Sequence, residues 1–143
     1  GLMKELRMGN LDSKRDWGYA PEYVRGMWQI LQLGFPGDFV LATGETHSVR
    51  EFVECAFKCI QRDIVWEGQG VEEVGIEKNS GIIRVRIDPK YYRPQDVQLL
   101  LGDYTKAKNA FGWEPATKFR ELVDIMVTSD IRKEASKCNI IKY

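Results

Sequence analysis

Histidine occurs once and cysteine three times in the 143 residues. A single histidine, His47, and an odd, scattered set of thiols, Cys55, Cys59 and Cys138, exclude a disulfide framework. They also leave too few ligands for a histidine–cysteine metal site. Cys55 and Cys59 fall four apart on an expected helix and read as small, reduced, partly buried thiols. Excess charge is absent too: 21 basic and 21 acidic side chains give a formal net charge of zero. That excludes a general electrostatic surface for nucleic acid or anionic lipid, so phosphate recognition must be local. No apolar run approaches the roughly eighteen residues that cross a bilayer. Gly1 to Arg7 lacks the apolar core of a signal peptide, so a cytoplasmic location is expected. The glycines never form Gly-x-Gly-x-x-Gly or Gly-x-x-Gly-x-x-Gly, the runs that cradle a dinucleotide. No Ser/His/Asp or Cys/His arrangement offers an activated nucleophile.

What is present is an ordinary globular composition, 43% hydrophobic and 29% charged, enough for one domain with perhaps a further subdomain. Residues 1–10 read as the tail of an element. Pro21 suits the first turn of a helix, and Val24, Met27, Trp28 and Leu31 share one face of it. Gly34 stops that helix. Phe39–Thr43 is a short apolar run expected to be a buried strand. Ser48 and Glu51 spell a capping box, followed by a stripe of Val49, Phe52, Val53, Ala56, Phe57 and Ile60. Ile64–Glu67 reads as a strand and residues 69–81 as a polar loop. Ile83, Val85 and Ile87 alternate with charged residues, the period of a half-exposed strand. A short helix is expected over Thr105–Phe111, ended by Gly112. A last one carries Phe119, Leu122, Val123, Met126 and Val127. Residues 131–143 are polar and expected to fray. Strands alternating with helices predict an α/β fold.

Two arginines stand out. Arg15 sits in Lys14-Arg15-Asp16-Trp17-Gly18, and Arg93 in Lys90-Tyr91-Tyr92-Arg93-Pro94. A guanidinium offers five donors in a rigid fork and keeps its charge. Two converging on one site suit a diphosphate, and Asp96, three residues after Arg93, suits sugar hydroxyls. The combination reads as nucleotide-sugar binding. The plain alternatives stay open: a surface ion pair of Arg15 with Asp12 or Asp16, and a salt-bridged strand end for Arg93. Ser48 is explained as a helix cap, with anion binding at that helix start a lesser possibility. His47 reads as a turn residue. Tyr104 and Lys108 match Tyr-x-x-x-Lys, the acid/base pattern of short-chain dehydrogenases. With no dinucleotide loop before them, they read as a helix start with lysines in solvent. Glu72, Glu73 and Glu77 read as a solvated run.

These strings resemble the C-terminal part of the GDP-mannose 4,6-dehydratase family of extended short-chain dehydrogenases/reductases. The likeness runs from about residue 8 to about residue 131. It is carried by Gly9-Asn10-Leu11-Asp12-Ser13-Lys14-Arg15-Asp16-Trp17-Gly18, Ala42-Thr43-Gly44-Glu45, His47-Ser48-Val49-Arg50-Glu51-Phe52-Val53, Ile64-Val65-Trp66-Glu67-Gly68, Lys90-Tyr91-Tyr92-Arg93-Pro94 and Trp113-Glu114-Pro115. The resemblance implies a substrate-binding region over residues 1–130, a polar tail over 131–143, and no N-terminal Rossmann cofactor half. It implies that Arg15 and Arg93 contact the diphosphate of GDP-mannose and Asp96 the ribose. The family's usual residue at the last position is glutamate, and related epimerases place aspartate there. In the complete enzyme, a lyase of GDP-fucose biosynthesis, NADP takes the hydride from C4 and returns it to C6 after water leaves C5–C6. The implied partners are the missing Rossmann half or full-length subunits, since the family forms homo-oligomers. A fragment of this kind is expected to be inactive alone and to expose apolar surface. The alternative is a catalytically dead module for GDP-sugar binding or subunit association.

Overall fold

Short strands and helices are interspersed along the chain. The computed structural model describes residues 3–93 and 99–140, with the backbone alone for 138–140. In chain order the elements are β1 (Leu6–Met8), β2 (Lys14–Arg15), α1 (Ala20–Leu31), β3 (His47–Ser48), α2 (Val49–Cys59), β4 (Ile64–Glu67), β5 (Val74–Glu77), β6 (Ile83–Ile87), α3 (Thr105–Phe111) and α4 (Phe119–Ile140). They divide into two units. Residues 1–14 and 48–99 make the first, and residues 15–47 and 100–143 the second.

The first unit holds a four-stranded sheet in the order β1-β6-β5-β4. β6 is central and amphipathic as its alternation predicts: Val85 and Ile87 are buried while Arg86 is exposed. β1 runs parallel to β6, with Leu6 opposite Val85 and Met8 opposite Ile87. β5 runs antiparallel to β6 on its other side, and β4 closes the far edge.

One of these strands departs from expectation. β5 lies inside the segment predicted as a polar loop. Its glycine explains both the miss and the need for it. A β-carbon on Gly75 would stand 2.9–3.0 Å from Trp66, Ile64 and Val85, so the sheet has no room for a side chain there. β1 is an edge strand of mixed charge. Arg7 and Arg86 are register partners, and the like charges are offset by Glu5 and Asp88.

α2 starts as its capping box predicts. The Glu51 amide donates to Ser48 Oγ at 3.1 Å and the Ser48 amide to Glu51 Oε2 at 2.7 Å. The next orphan donors go to the chain before β2: the Val49 amide to the Ser13 carbonyl and the Arg50 amide to the Leu11 carbonyl. Backbone and cap oxygens thus take the amides on which the lesser anion-binding reading of this helix start rested. Arg50 lies 4.9 Å from the Trp66 ring and pairs with Asp12 and with both oxygens of Glu73. The hydrogen bonds to Glu73 push its guanidinium above the usual arginine range.

In the second unit Trp113 is the centre of packing. It is buried, donates its indole N–H to the Glu22 carbonyl at 2.9 Å, and takes Tyr23 and Tyr104 against its edges. Gly26 of α1 faces that indole so closely that a β-carbon would stand 2.7 Å from its nitrogen. The Glu22 carboxylate accepts from the Ala116 amide and from both the amide and hydroxyl of Thr117, fixing the turn before α4. α4 buries Phe119, Leu122 and Val123 and continues past this apolar stripe to Ile140.

The predicted face of α1 is not buried. Val24, Met27, Trp28 and Leu31 are 57–80% exposed. Phe39–Thr43 also differs from expectation. It is not in a strand, and Val40 is exposed although Ala42 is buried. The sequence writes a buried strand here, but the described residues supply no strand to pair with it.

Candidate functional site

Arg93 follows a turn fixed by its own residues at the end of β6. The Asp88 carboxylate accepts from the Lys90 amide at 3.0 Å, and its carbonyl accepts from the Tyr91 and Tyr92 amides. The Asp88 amide in turn donates to the Met8 carbonyl at 2.8 Å, tying the turn to β1. Gly9 lies beneath it, where a β-carbon would stand 2.4 Å from the Tyr91 carbonyl oxygen. Tyr91 and Arg93 are exposed at the far end. Asp96 lies outside the described residues.

Arg15 belongs to the second unit and is half-buried. It lines a pocket of about 330 Å³ with Tyr23, Leu41, Ala42, Leu100 and Gly102. The acid next to it was the residue that sequence reasoning undervalued. Asp16 Oδ1 accepts from the Thr43 amide at 2.8 Å and the Thr43 hydroxyl at 2.6 Å. Asp16 Oδ2 accepts from the Gly44 amide at 3.0 Å and the Gly102 amide at 3.3 Å. Asp12, the other partner weighed for Arg15, is bound by Arg50. Nothing in the spacing announces the Asp16 arrangement, because its partners lie 27, 28 and 86 residues away. Burial raises the Tyr23 phenol above its ordinary value, with the charges of Asp16 and Glu22 adding to it.

His47 stacks on Phe119 with ring centroids 3.8 Å apart and 8° between planes, and Trp17 stacks on Phe119 as well. His47 Nε2 lies 3.8 Å from Glu45, whose carboxylate the Lys118 ammonium holds below the usual range. His47 is thus a packed residue of β3 rather than the turn residue expected. Tyr104 precedes the first residue of α3 and packs on Trp113, while Lys108 pairs with Glu114. Both residues of the Tyr-x-x-x-Lys string therefore have structural work. Glu73 and Glu77 are not a solvated run: the first holds Arg50 and the second holds Arg84 and Arg62. Among the described residues no group of three or more His, Cys, Asp or Glu side chains is placed to hold a metal ion, and no helix is long and apolar enough to cross a membrane.

Known proteins align with this architecture. The family model described as GDP-mannose 4,6 dehydratase matches residues 1–126. A GDP-mannose 4,6 dehydratase of Drosophila melanogaster is 58% identical over 129 residues, covering 90% of this chain and 33% of the relative. The Homo sapiens GDP-mannose 4,6 dehydratase is 53% identical over 131 residues, covering 92% and 35%. The chain thus spans about a third of the length of these curated relatives.

Solved structures show the same α/β fold at low identity. RMD from Pseudomonas aeruginosa, complexed with NADPH, superposes with a TM-score of 0.64 at 16% identity, covering 87% of this chain and 35% of that one. The dTDP-glucose 4,6-dehydratase of Bacillus anthracis, in complex with NAD, gives 0.66 at 18% identity, covering 92% and 36%. The likeness shows the fold: an α/β arrangement shared with about a third of each of these longer chains. With the family model matching over most of its length, the chain belongs to the GDP-mannose 4,6 dehydratase family.

Proposed function

We propose that this chain is the nucleotide-sugar-binding part of a GDP-mannose 4,6-dehydratase, and that Arg15 and Arg93 hold the substrate diphosphate while Asp96 meets the ribose. The observation that carries the reading is the family match over residues 1–126, which takes in all three side chains. The locked turn before Arg93 and the pocket beside Arg15 support it, because a bidentate cation recognises a phosphate best when its backbone is fixed. The reaction is loss of water from the hexose, a lyase activity, with NADP as transient hydride carrier in the complete enzyme.

NADP finds no fitting cradle among the described residues. The close-packed glycines serve other contacts: Gly9 under Tyr91, Gly26 against Trp113 and Gly102 against Ala42. On this reading the cradle for NADP belongs to the complete enzyme, and no turnover is expected from the chain alone. The exposed apolar face of α1 and the exposed Val40 support a complementary apolar body as partner, the Rossmann half of the family enzyme or a full-length subunit. The chain works in the cytoplasm, and homo-oligomers form through the complete enzyme.

Calorimetry with GDP-mannose tests the binding role. Arg93→Ala and Arg15→Ala should each weaken binding on the order of tenfold or more, the loss of charge-assisted hydrogen bonds to phosphate. Affinity unchanged in both variants refutes the assignment of the two arginines. Dehydratase turnover by the isolated chain with NADP refutes its inactivity.

A further inference from the structure

We propose that Asp16 is a positioning residue: its carboxylate assembles the pocket beside Arg15 and sets the backbone from which that guanidinium reaches the diphosphate. The role rests on the nucleotide-sugar reading of Arg15.

The geometry is unusual for a half-exposed acid. An ionised carboxylate has about four lone-pair sites, and four donors meet Asp16: the Thr43 amide and hydroxyl on one oxygen, the Gly44 and Gly102 amides on the other. Three of these donors are backbone amides from two distant segments. Those segments carry two walls of the pocket, Leu41 and Ala42 on one side and Leu100 to Gly102 on the other. The walls touch where a β-carbon on Gly102 would stand 2.2 Å from that of Ala42. Asp16 itself lines the pocket, one residue from Arg15. A surface acid stabilising only its own turn would not collect donors from both walls of a cavity. Fixing residue 16 to both walls fixes the Arg15 backbone relative to the space the ligand occupies.

Asparagine separates the two halves of the clamp. Its carbonyl oxygen still accepts from Thr43, but its NH2 group meets the Gly44 and Gly102 amides donor against donor. Asp16→Asn should weaken GDP-mannose binding on the order of tenfold, the value of hydrogen bonds to a charged acceptor. The Asp16→Asn/Arg15→Ala double variant should bind no more weakly than Arg15→Ala alone, because the first change acts through the second residue. Losses that multiply in the double variant would make Asp16 a general fold residue and overturn the role. Amide exchange in the unsubstituted chain guards against a variant that fails to fold. GDP-mannose should slow exchange at Thr43, Gly44 and Gly102, and exchange unchanged at all three overturns the role. The two readings fail differently. An unsubstituted chain that ignores GDP-mannose ends the nucleotide-sugar reading and this role with it. GDP-mannose binding that Asp16→Asn leaves intact ends the role of Asp16 alone.

Discussion

Gly9 and Tyr91 meet with no space between them: a β-carbon on the glycine would lie 2.4 Å from the tyrosine carbonyl oxygen. The clash is with backbone, so no side-chain rotation relieves it. Gly9→Ala must lift the turn that carries Arg93. A cost of roughly 1–3 kcal/mol is expected from overpacking of this kind, together with weaker GDP-mannose binding. Denaturant unfolding and calorimetry on the same variant check the two effects. Normal affinity in a destabilised Gly9→Ala chain would separate the turn from binding.

Ser48→Ala removes the acceptor for the Glu51 amide, while the backbone amide of residue 48 can still donate to the Glu51 carboxylate. Loss of such a cap costs about 1 kcal/mol. Amide exchange in the first turn of α2 should quicken by about fivefold, the factor that corresponds to that energy. The amides of Val49 and Arg50 should be the least affected, since they donate to carbonyls of residues 13 and 11.

Leu31 and Met27 are 80% and 57% exposed on α1. Replacing them by glutamate and lysine should leave the fold intact, raise solubility and suppress self-association, since no packing is lost. The same double variant should fail to bind a separately expressed Rossmann half of a relative. Pull-down and sedimentation measurements give both results, and undiminished association would remove α1 from the interface.

The Tyr23 phenol is held above its ordinary value of 10.0, first by burial and then by Asp16 and Glu22. The folded chain therefore binds this proton more tightly than the unfolded chain. The stabilisation is fully present below pH 10 and is lost as pH rises through the folded value. Tyr23→Phe should flatten the alkaline decline in stability, as seen by unfolding at a series of pH values. An identical decline in that variant would place its cause elsewhere.

The helices were legible in the sequence because their signals are local. Ser48 and Glu51 are three residues apart, Pro21 opens α1, and Gly112 ends α3 with φ of +71°. β6 was legible from its alternation. β1 and β5 were not, since an edge strand interrupted by charge and a strand containing Gly75 lack the β-branched pattern. The stripe of α1 was legible as one apolar face, and such a stripe shows that a face is to be covered, not that this chain covers it. The site divides the same way. Both arginines stand out by residue type, whereas the Asp16 clamp depends on tertiary contacts with Thr43 and Gly102 that no spacing rule reaches.

The most direct measurement is an amide NMR titration of the isotopically labelled chain with GDP-mannose, with UDP-glucose as control. The account predicts dispersed resonances and shifts with GDP-mannose alone, concentrated at residues 15–16, 43–44, 91–93 and 102. A spectrum that answers neither ligand, or both equally, would contradict GDP-sugar recognition by this chain.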